Sequence, residues 1–118
     1  MADLGLPRSS RLLKKAEFDR LFADGRKVVG RHIIAFIAPS QNSRLGLVVS
    51  KRWGGAVRRN RIKRLMREAF RQTKAEVDFS FDVILLPKSF GPDTRLLDVI
   101  EDLEWIVNKF LERETSSR

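Results

Sequence analysis

The residues best suited to do chemistry in this chain are nine cations placed between Lys51 and Arg71. This stretch reads KRWGGAVRRNRIKRLMREAFR, and Glu68 is its only acid. The planar guanidinium group of arginine suits bidentate hydrogen bonds to phosphate oxygens. The stretch therefore predicts a surface that binds the phosphates of a polyanion. Its cations are Lys51, Arg52, Arg58, Arg59, Arg61, Lys63, Arg64, Arg67 and Arg71.

The element that must hold these cations is a helix predicted over residues 56–75, directly after two glycines. A period of 3.6 residues places an apolar stripe on one side: Ile62, Leu65, Met66, Ala69, Phe70 and Thr73. The same period gathers polar residues into a ridge on the other side: Asn60, Lys63, Arg64, Arg67, Arg71 and Lys74. Like charges three and four residues apart repel each other, and cations in the first turn oppose the helix dipole. A solvated face usually mixes signs, so we interpret the ridge as a phosphate-binding surface rather than as a solvated face.

Charge and composition narrow the class of protein. The chain has 118 residues, a net charge of +9, one histidine and no cysteine. Residues 1–75 carry a net charge of +14 and residues 76–118 one of −5. We therefore expect one domain over residues 1–118, with a flexible arm at 1–9, a frayed tail at 112–118 and a binding surface in the first two thirds. Disulfides and a histidine-based metal or catalytic site are excluded. No apolar run approaches the length of a membrane span, so we expect a cytoplasmic protein without a membrane partner.

The rest of the chain predicts an α+β fold, a small sheet with helices packed on it. Helices are predicted over residues 12–23 and 96–111. Strands are predicted over 28–38, with an interruption at Gly30, over 45–51 and over 81–86. Because the first two long strands are joined by the short turn PSQNS, we expect them to pair as an antiparallel hairpin.

At this point the sequence resembles a known family. The segment VSKRWGGAVRRNRIKRLMREAF resembles the signature of the bacterial ribonuclease P protein subunit, with its Arg-Asn-Arg triplet at Arg59, Asn60 and Arg61. The segments LLKKAEFDRLFADGRKVVGRHIIAF and FDVILLPKSF resemble the family's first helix with its following strand and its last strand. Two positions depart from the family pattern, because Gly55 stands where Asn is frequent and Lys88 where Arg is common.

The resemblance implies a fold and a function. The fold is a mostly antiparallel four-stranded sheet with three helices, in the order α-β-β-β-α-β-α, with a left-handed β-α-β crossover. The protein is the cofactor of a catalytic RNA, and together they remove the 5′ leader from precursor tRNA. The RNA holds the magnesium ions that hydrolyse the phosphodiester, so no catalytic or metal-binding residue and no small-molecule substrate is expected in the protein.

The resemblance also implies two sets of binding residues. The nine cations between Lys51 and Arg71, together with Asn60, are expected to bind the ribonuclease P RNA. The tRNA leader is expected in a cleft between the first helix and the sheet. The aromatic residues of this cleft are Phe18, Phe22 and Phe36, and its polar rim consists of Lys14, Lys15, Arg31, Ser50, Lys51 and Lys88. For Phe18 and Phe22, a place in the core is an equally good interpretation of their helical spacing.

Three alternative functions share the basic helix. A non-enzymatic RNA-binding protein of the ribosomal type would need the same charge. A DNA-binding protein would need a supporting helix at a defined turn before the reading helix, where this chain has glycines and a strand. A membrane-surface helix would expose its apolar stripe, which this chain needs for its core.

Overall fold

Three helices surround a four-stranded sheet in the computed structural model of the chain, which describes residues 6–116 and the side chains of residues 6–113. The order α-β-β-β-α-β-α is the predicted one. The helices are α1 (Lys15–Asp24), α2 (Ala56–Glu76) and α3 (Leu96–Ser116), and the strands are β1 (Arg26–Val29), β2 (Ile33–Pro39), β3 (Arg44–Leu47) and β4 (Phe81–Pro87). Two short 3₁₀ turns occupy Arg8–Ser10 and Lys51–Trp53.

The strand order in the sheet is β1-β2-β4-β3, so the predicted hairpin between β2 and β3 is wrong. β4 lies between them, antiparallel to β2 and parallel to β3, and β2 pairs instead with the short strand β1. The physical reason is burial. The central residues Val83, Ile84 and Leu85 of β4 are fully buried, which requires neighbours on both sides. The parallel β3-α2-β4 unit implied by the family is therefore present, and its left-handed sense stays a prediction.

The two faces of the sheet bury different clusters. Ile33, Ala35 and Ile37 of β2 face the larger cluster, which α2 and α3 complete. Ile34 and Phe36 alternate with them and are half-buried on the other face, as the period of two predicts. That second face is covered by α1 through a smaller cluster. The sheet thus leaves one face partly open beside α1.

The predicted ends of several elements shift in the structure. Leu6 is buried in the larger cluster and Arg8–Ser10 form a 3₁₀ turn, so the predicted arm does not include residues 6–9; residues 1–5 lie outside the described part. The first helix begins at Lys15 rather than at Leu12, because the Leu12 N–H donates to the Leu45 carbonyl. The last helix continues past residue 111 to Ser116, where a frayed tail was expected.

Candidate nucleic-acid interface

The ridge on α2 forms because the opposite side of the helix is buried. Ile62, Met66, Ala69, Phe70 and Thr73 lie in the interior, as predicted, which turns the cations outward. Burial of this stripe also removes it from any membrane surface. Gly55 caps the helix without a side-chain hydrogen bond, and no acid stands in the first turn. The positive end of the helix dipole is therefore uncompensated by any side chain of the helix itself.

The middle of the ridge carries charge that the fold does not neutralise. Lys63, Arg64 and Arg67 form no ion pair with any acid among residues 6–113. Arg71 is different, because its Nη2 lies 2.6 Å from Glu68 Oε1. The hydrogen bond between the two side chains lowers the pKa of the Glu68 carboxyl and raises the pKa of the Arg71 guanidinium. Lys74, at the end of the ridge, donates from Nζ to Ser10 Oγ at 3.0 Å. The ridge cations with neither an ion pair nor a hydrogen bond among residues 6–113 are therefore the three in its middle.

The three arginines in the first turns of α2 each donate one hydrogen bond to a backbone carbonyl of the protein. Arg58 Nη2 donates to the Phe90 carbonyl at 3.1 Å and Arg61 Nη2 to the Thr94 carbonyl at 2.6 Å. Arg59 Nε donates to the Gly54 carbonyl at 3.0 Å. Each guanidinium group has five N–H donors, so donors remain for an external phosphate.

Asn60, Lys51 and Arg52 complete the predicted RNA-binding set. Asn60 is exposed between the two arginines of the triplet. Lys51 and Arg52 are also exposed and lie in the 3₁₀ turn, so Lys51 is not part of a strand as the predicted range 45–51 had it. The Arg52 guanidinium sits over the Trp53 ring at 5.6 Å, which holds it beside the start of α2.

The three predicted cleft aromatics lie together on the α1 face of the sheet. Phe22 meets Phe36 edge to face, with ring centroids 4.9 Å apart. Phe18 packs over Gly46, where a Cβ would come within 2.6 Å of the ring, so glycine is required there. Phe22 stays 37% exposed, whereas Phe18 is partly buried. Phe22 is thus the more accessible ring, and Phe18 is also a packing residue.

The predicted rim residues differ in the partners that their side chains have within the protein. Lys15 pairs with Asp19 at 2.8 Å, both exposed. Lys88 Nζ donates to the Gly30 carbonyl at 2.9 Å, which brings Lys88 beside Arg31. Lys14 and Ser50 are exposed and directly precede α1 and the second 3₁₀ turn, respectively.

A groove of about 330 Å³ joins the two predicted sets of residues. Phe18 lines it from α1, Gly46 from the edge strand β3, and Lys63 and Arg67 from α2. The sequence assigned Phe18 to one partner and the two cations to another. The structure places them along one continuous surface, because β3 is the sheet edge that separates α1 from α2.

An ion-pair network that sequence reasoning missed fastens α1 to the sheet. Arg44 Nη1 lies 2.7 Å from Glu17 Oε2, and its Nη2 lies 2.8 Å from Asp82 Oδ2 of β4. Glu17 Oε1 also accepts the N–H groups of Leu13 and Lys14. The hydrogen bonds from Lys14 and Leu13, and then Arg44, lower the pKa of Glu17 to about 2, while hydrogen bonding to Asp82 raises the pKa of Arg44. The network sets the position of the helix that carries Phe18 and Phe22.

A second missed residue, Asp102 of α3, fastens the turn that carries Arg31. Its buried carboxylate accepts the backbone N–H groups of Arg31 at 2.7 Å, His32 at 2.8 Å and Ile33 at 3.0 Å. A Cβ on Gly30 would lie 2.6 Å from both carboxylate oxygens. The only sequence signal was an aspartate inside the apolar stripe of α3.

Neither a metal centre nor a membrane span emerges from the described part. Among the side chains of residues 6–113, no three from His, Asp or Glu lie close enough together to hold a metal ion. Within residues 6–116 no helix combines the length and the apolar composition that crossing a bilayer demands.

Comparison with known proteins adds to this geometry. The family model described as Ribonuclease P matches residues 6–111 of the chain. The ribonuclease P protein component of Desulforapulum autotrophicum is 33% identical over 113 residues, which cover 94% of this chain and 97% of the relative. The similarity thus extends over nearly the whole of both proteins.

Solved structures agree with the sequence comparison. A mutant of the Staphylococcus aureus RNase P protein with defective mRNA degradation activity superposes with a TM-score of 0.74 at 31% identity, covering 86% of this chain and 87% of that one. The RNase P protein from Thermotoga maritima gives a TM-score of 0.74 at 28% identity, covering 84% and 96%. These proteins share the three helices and the four-stranded mixed sheet.

Proposed function

Since the chain belongs to the ribonuclease P protein family, we propose that it performs the family's role in tRNA 5′ processing by binding two RNAs at once. The catalytic RNA binds along the ridge of α2 and the start of that helix. The 5′ leader of precursor tRNA binds in the cleft formed by Phe18, Phe22 and Phe36. The ribosomal-type alternative is not favoured by the relatives, which are ribonuclease P protein components.

The observation that carries this proposal is the uncompensated charge of Lys63, Arg64 and Arg67. These side chains repel each other across one helix face and form no ion pair with any acid among residues 6–113, although the charge of Arg67 helps to lower the pKa of Glu68. An RNA backbone supplies phosphates at the spacing that would neutralise them and would release its own counterions in return. The groove that Lys63 and Arg67 share with Phe18 lets one RNA surface continue into the aromatic cleft.

In this mechanism the protein binds and orients, and the RNA carries out the hydrolysis. Magnesium ions held by the RNA would supply the activated water and stabilise the leaving oxygen. The protein's aromatic rings would stack on unpaired leader bases, and rim groups such as Arg31 and Lys88 would hold leader phosphates. The bacterial cytoplasm is the proposed place of action.

Reconstitution at low magnesium tests the proposed function. Purified chain is added to a bacterial ribonuclease P RNA at a magnesium concentration where the RNA alone cleaves poorly. We expect faster removal of the leader from precursor tRNA, because the protein's cations replace part of the counterion charge. Addition of the chain without any gain in cleavage would contradict the proposal.

The leader cleft is tested by Phe22→Ala, with Trp105→Ala on α3 as the matched control. Both rings are partly exposed, at 37% and 47%, but only Phe22 faces the cleft. Loss of one stacking ring is expected to weaken binding of precursor tRNA by about 1–3 kcal/mol and to leave mature tRNA binding unchanged. Equal losses for both tRNAs would remove Phe22 from the leader site.

A further inference from the structure

A second groove lies at the start of α2, on the opposite side of the molecule's sheet from the aromatic cleft. It encloses about 680 Å³ between the first turns of the helix and the loop after β4. Its apolar walls are Ala56, Val57 and Ile62 from the helix and Phe90 and Pro92 from the loop. Ile62 and Phe90 belong to the larger core cluster, whereas Phe18 and Phe36 belong to the smaller one.

Val57 is the most exposed large apolar residue among those described. Its side chain is 87% exposed in the first turn of a strongly cationic helix. A single exposed valine requires no explanation, but this one borders a groove that is already apolar. The exposed side chain therefore extends the wall that an apolar or aromatic ligand would contact.

Two glycines, Gly55 and Gly91, line the same groove. Gly54 needs to be glycine because its φ is +117°. Gly55 and Gly91 have no positive φ, and a Cβ built on either meets no atom within 4 Å. Neither backbone conformation nor internal packing therefore demands glycine at these two positions. Glycine there leaves room for close approach by a partner.

The groove has a fixed shape. The hydrogen bonds from Arg58 to the Phe90 carbonyl and from Arg61 to the Thr94 carbonyl fasten the loop to the helix. Phe90 is also held edge to face against Trp53, with ring centroids 6.4 Å apart. A ligand that enters would find its walls in place and would lose little affinity to reordering.

We propose that this groove holds one unpaired nucleobase of the ribonuclease P RNA. A base offers flat apolar faces to the walls, and its phosphate would lie near Arg58 and Arg61, which line the groove and keep N–H donors free beside their bonds to the loop carbonyls. No acid lines the groove. The groove and the ridge are both built on α2, so RNA bound along the ridge lies next to this site. The inference rests on the proposed function and adds a base-binding site to the phosphate contacts of that interface.

Gly91→Leu is the variant that tests this site. Its side chain enters open space in the free protein, so the melting temperature is expected to stay close to that of the unchanged chain. Binding of the full ribonuclease P RNA is expected to be about tenfold weaker at every salt concentration. The slope of log K against log salt should not change, because no phosphate contact is lost. Chemical probing should show one unpaired base losing its protection while the remaining footprint persists.

Val57→Ala is the second variant, with Leu97→Ala as its matched control. Leu97 is also an exposed apolar residue, 61% exposed, but it lies on α3 away from the groove. We expect a several-fold loss of RNA affinity for Val57→Ala and none for Leu97→Ala. This pair keeps the test valid if Gly91→Leu folds poorly.

Three results would overturn the inference. They are unchanged RNA affinity in Gly91→Leu and Val57→Ala, a salt slope reduced by about one, or a loss confined to precursor tRNA with its leader. Unchanged affinity would mean that no RNA base enters the groove. A reduced salt slope would mean that the groove contacts a phosphate rather than a base. A loss confined to precursor tRNA would mean that the groove binds the leader of the substrate. In each case the unchanged chain would still bind and stimulate the RNA, so the proposed function would stand. Failure of the unchanged chain to bind would instead remove the proposed function.

Discussion

The helices α2 and α3 have the same length and opposite charge. Each has 21 residues, and both complete the same core cluster against the sheet. α2 carries eight cations and two acids, whereas α3 carries six acids and two cations. Both helices therefore place like charges close together, and in both the apolar stripe is the part that the core uses.

The difference lies in what the fold does with these charges. On α3, Asp102 accepts three backbone N–H groups and Asp98 accepts the N–H of Arg95. On α2, Lys63, Arg64 and Arg67 have no acid partner within the described residues. The carboxylates of Asp98 and Asp102 thus support structure, whereas the three unpaired cations of α2 are the ones that we propose to bind RNA.

Asp102→Ala is expected to have the largest effect in this comparison. The change leaves three backbone N–H groups at the β1–β2 turn without their acceptor, so the free energy of unfolding should fall by about 3 kcal/mol. Urea titration measures the loss. Glu101→Ala, at the exposed neighbouring position, should change stability by less than about 0.5 kcal/mol. Similar stability of the two variants would show that the acids of α3 do not differ in structural role.

Arg64→Ala is expected to affect RNA binding and leave the fold intact. The exposed side chain has no acid partner, so melting of the free chain should not fall. RNA affinity should drop by about 1 kcal/mol and the salt slope by about 0.7–0.9, the amount for one phosphate contact. Lys109→Ala, an exposed cation on α3, is the control and should change neither. An unchanged slope in Arg64→Ala would remove this residue from the interface.

Glu17 of α1 is expected to contribute to the loss of stability at low pH. Like Asp102 of α3, its carboxylate accepts hydrogen bonds from distant or backbone groups of the fold. Because its pKa is lowered to about 2, its stabilising contribution is present above its unfolded value near 4.5 and disappears as the pH falls towards 2. We expect the melting temperature of the unchanged chain to fall over this range, and more gently in Glu17→Gln. Parallel curves for the two proteins would assign the acid sensitivity to other carboxylates.

Glu104→Gln is expected to give the smallest change in stability, and it should stabilise the protein rather than destabilise it. Burial, then Glu76 and Glu101, raise the pKa of Glu104, so its ionised form opposes folding. At pH 7 the variant should be more stable by a few tenths of a kcal/mol, as expected for relieved like-charge repulsion between helix residues. The gain should vanish below pH 4.5, where the carboxyl is protonated in both states. A loss of stability at pH 7 would mean that Glu104 has a stabilising partner.

Much of the fold could be predicted from local pattern. The predicted range 56–75 for α2 ends one residue short of the observed helix, and its buried stripe is the predicted one except for Leu65, which is only partly buried against the same core. The interruption at Gly30 separates β1 from β2, as expected. These features depend on residues close in sequence, whose periodicity is visible without the fold.

Pairing across the sheet could not be predicted in the same way. The turn between β2 and β3 favoured a hairpin, but the buried strand β4 arrives about 40 residues later and takes the place between them. The candidate site shows the same limit. The aromatic residues and cations were found individually, whereas their shared groove exists because β3 forms the sheet edge.

The sequence by itself determined the charge ridge, the helices and the family, because each is written in residue types at short spacing. Only the tertiary structure decided which charges remain free. Asp102 and Glu17 find their partners through contacts between distant segments, and Lys63, Arg64 and Arg67 find none within the described residues. The chemical type of a side chain sets which groups it can bind. The neighbours that folding brings to it decide whether those binding groups are already occupied within the protein.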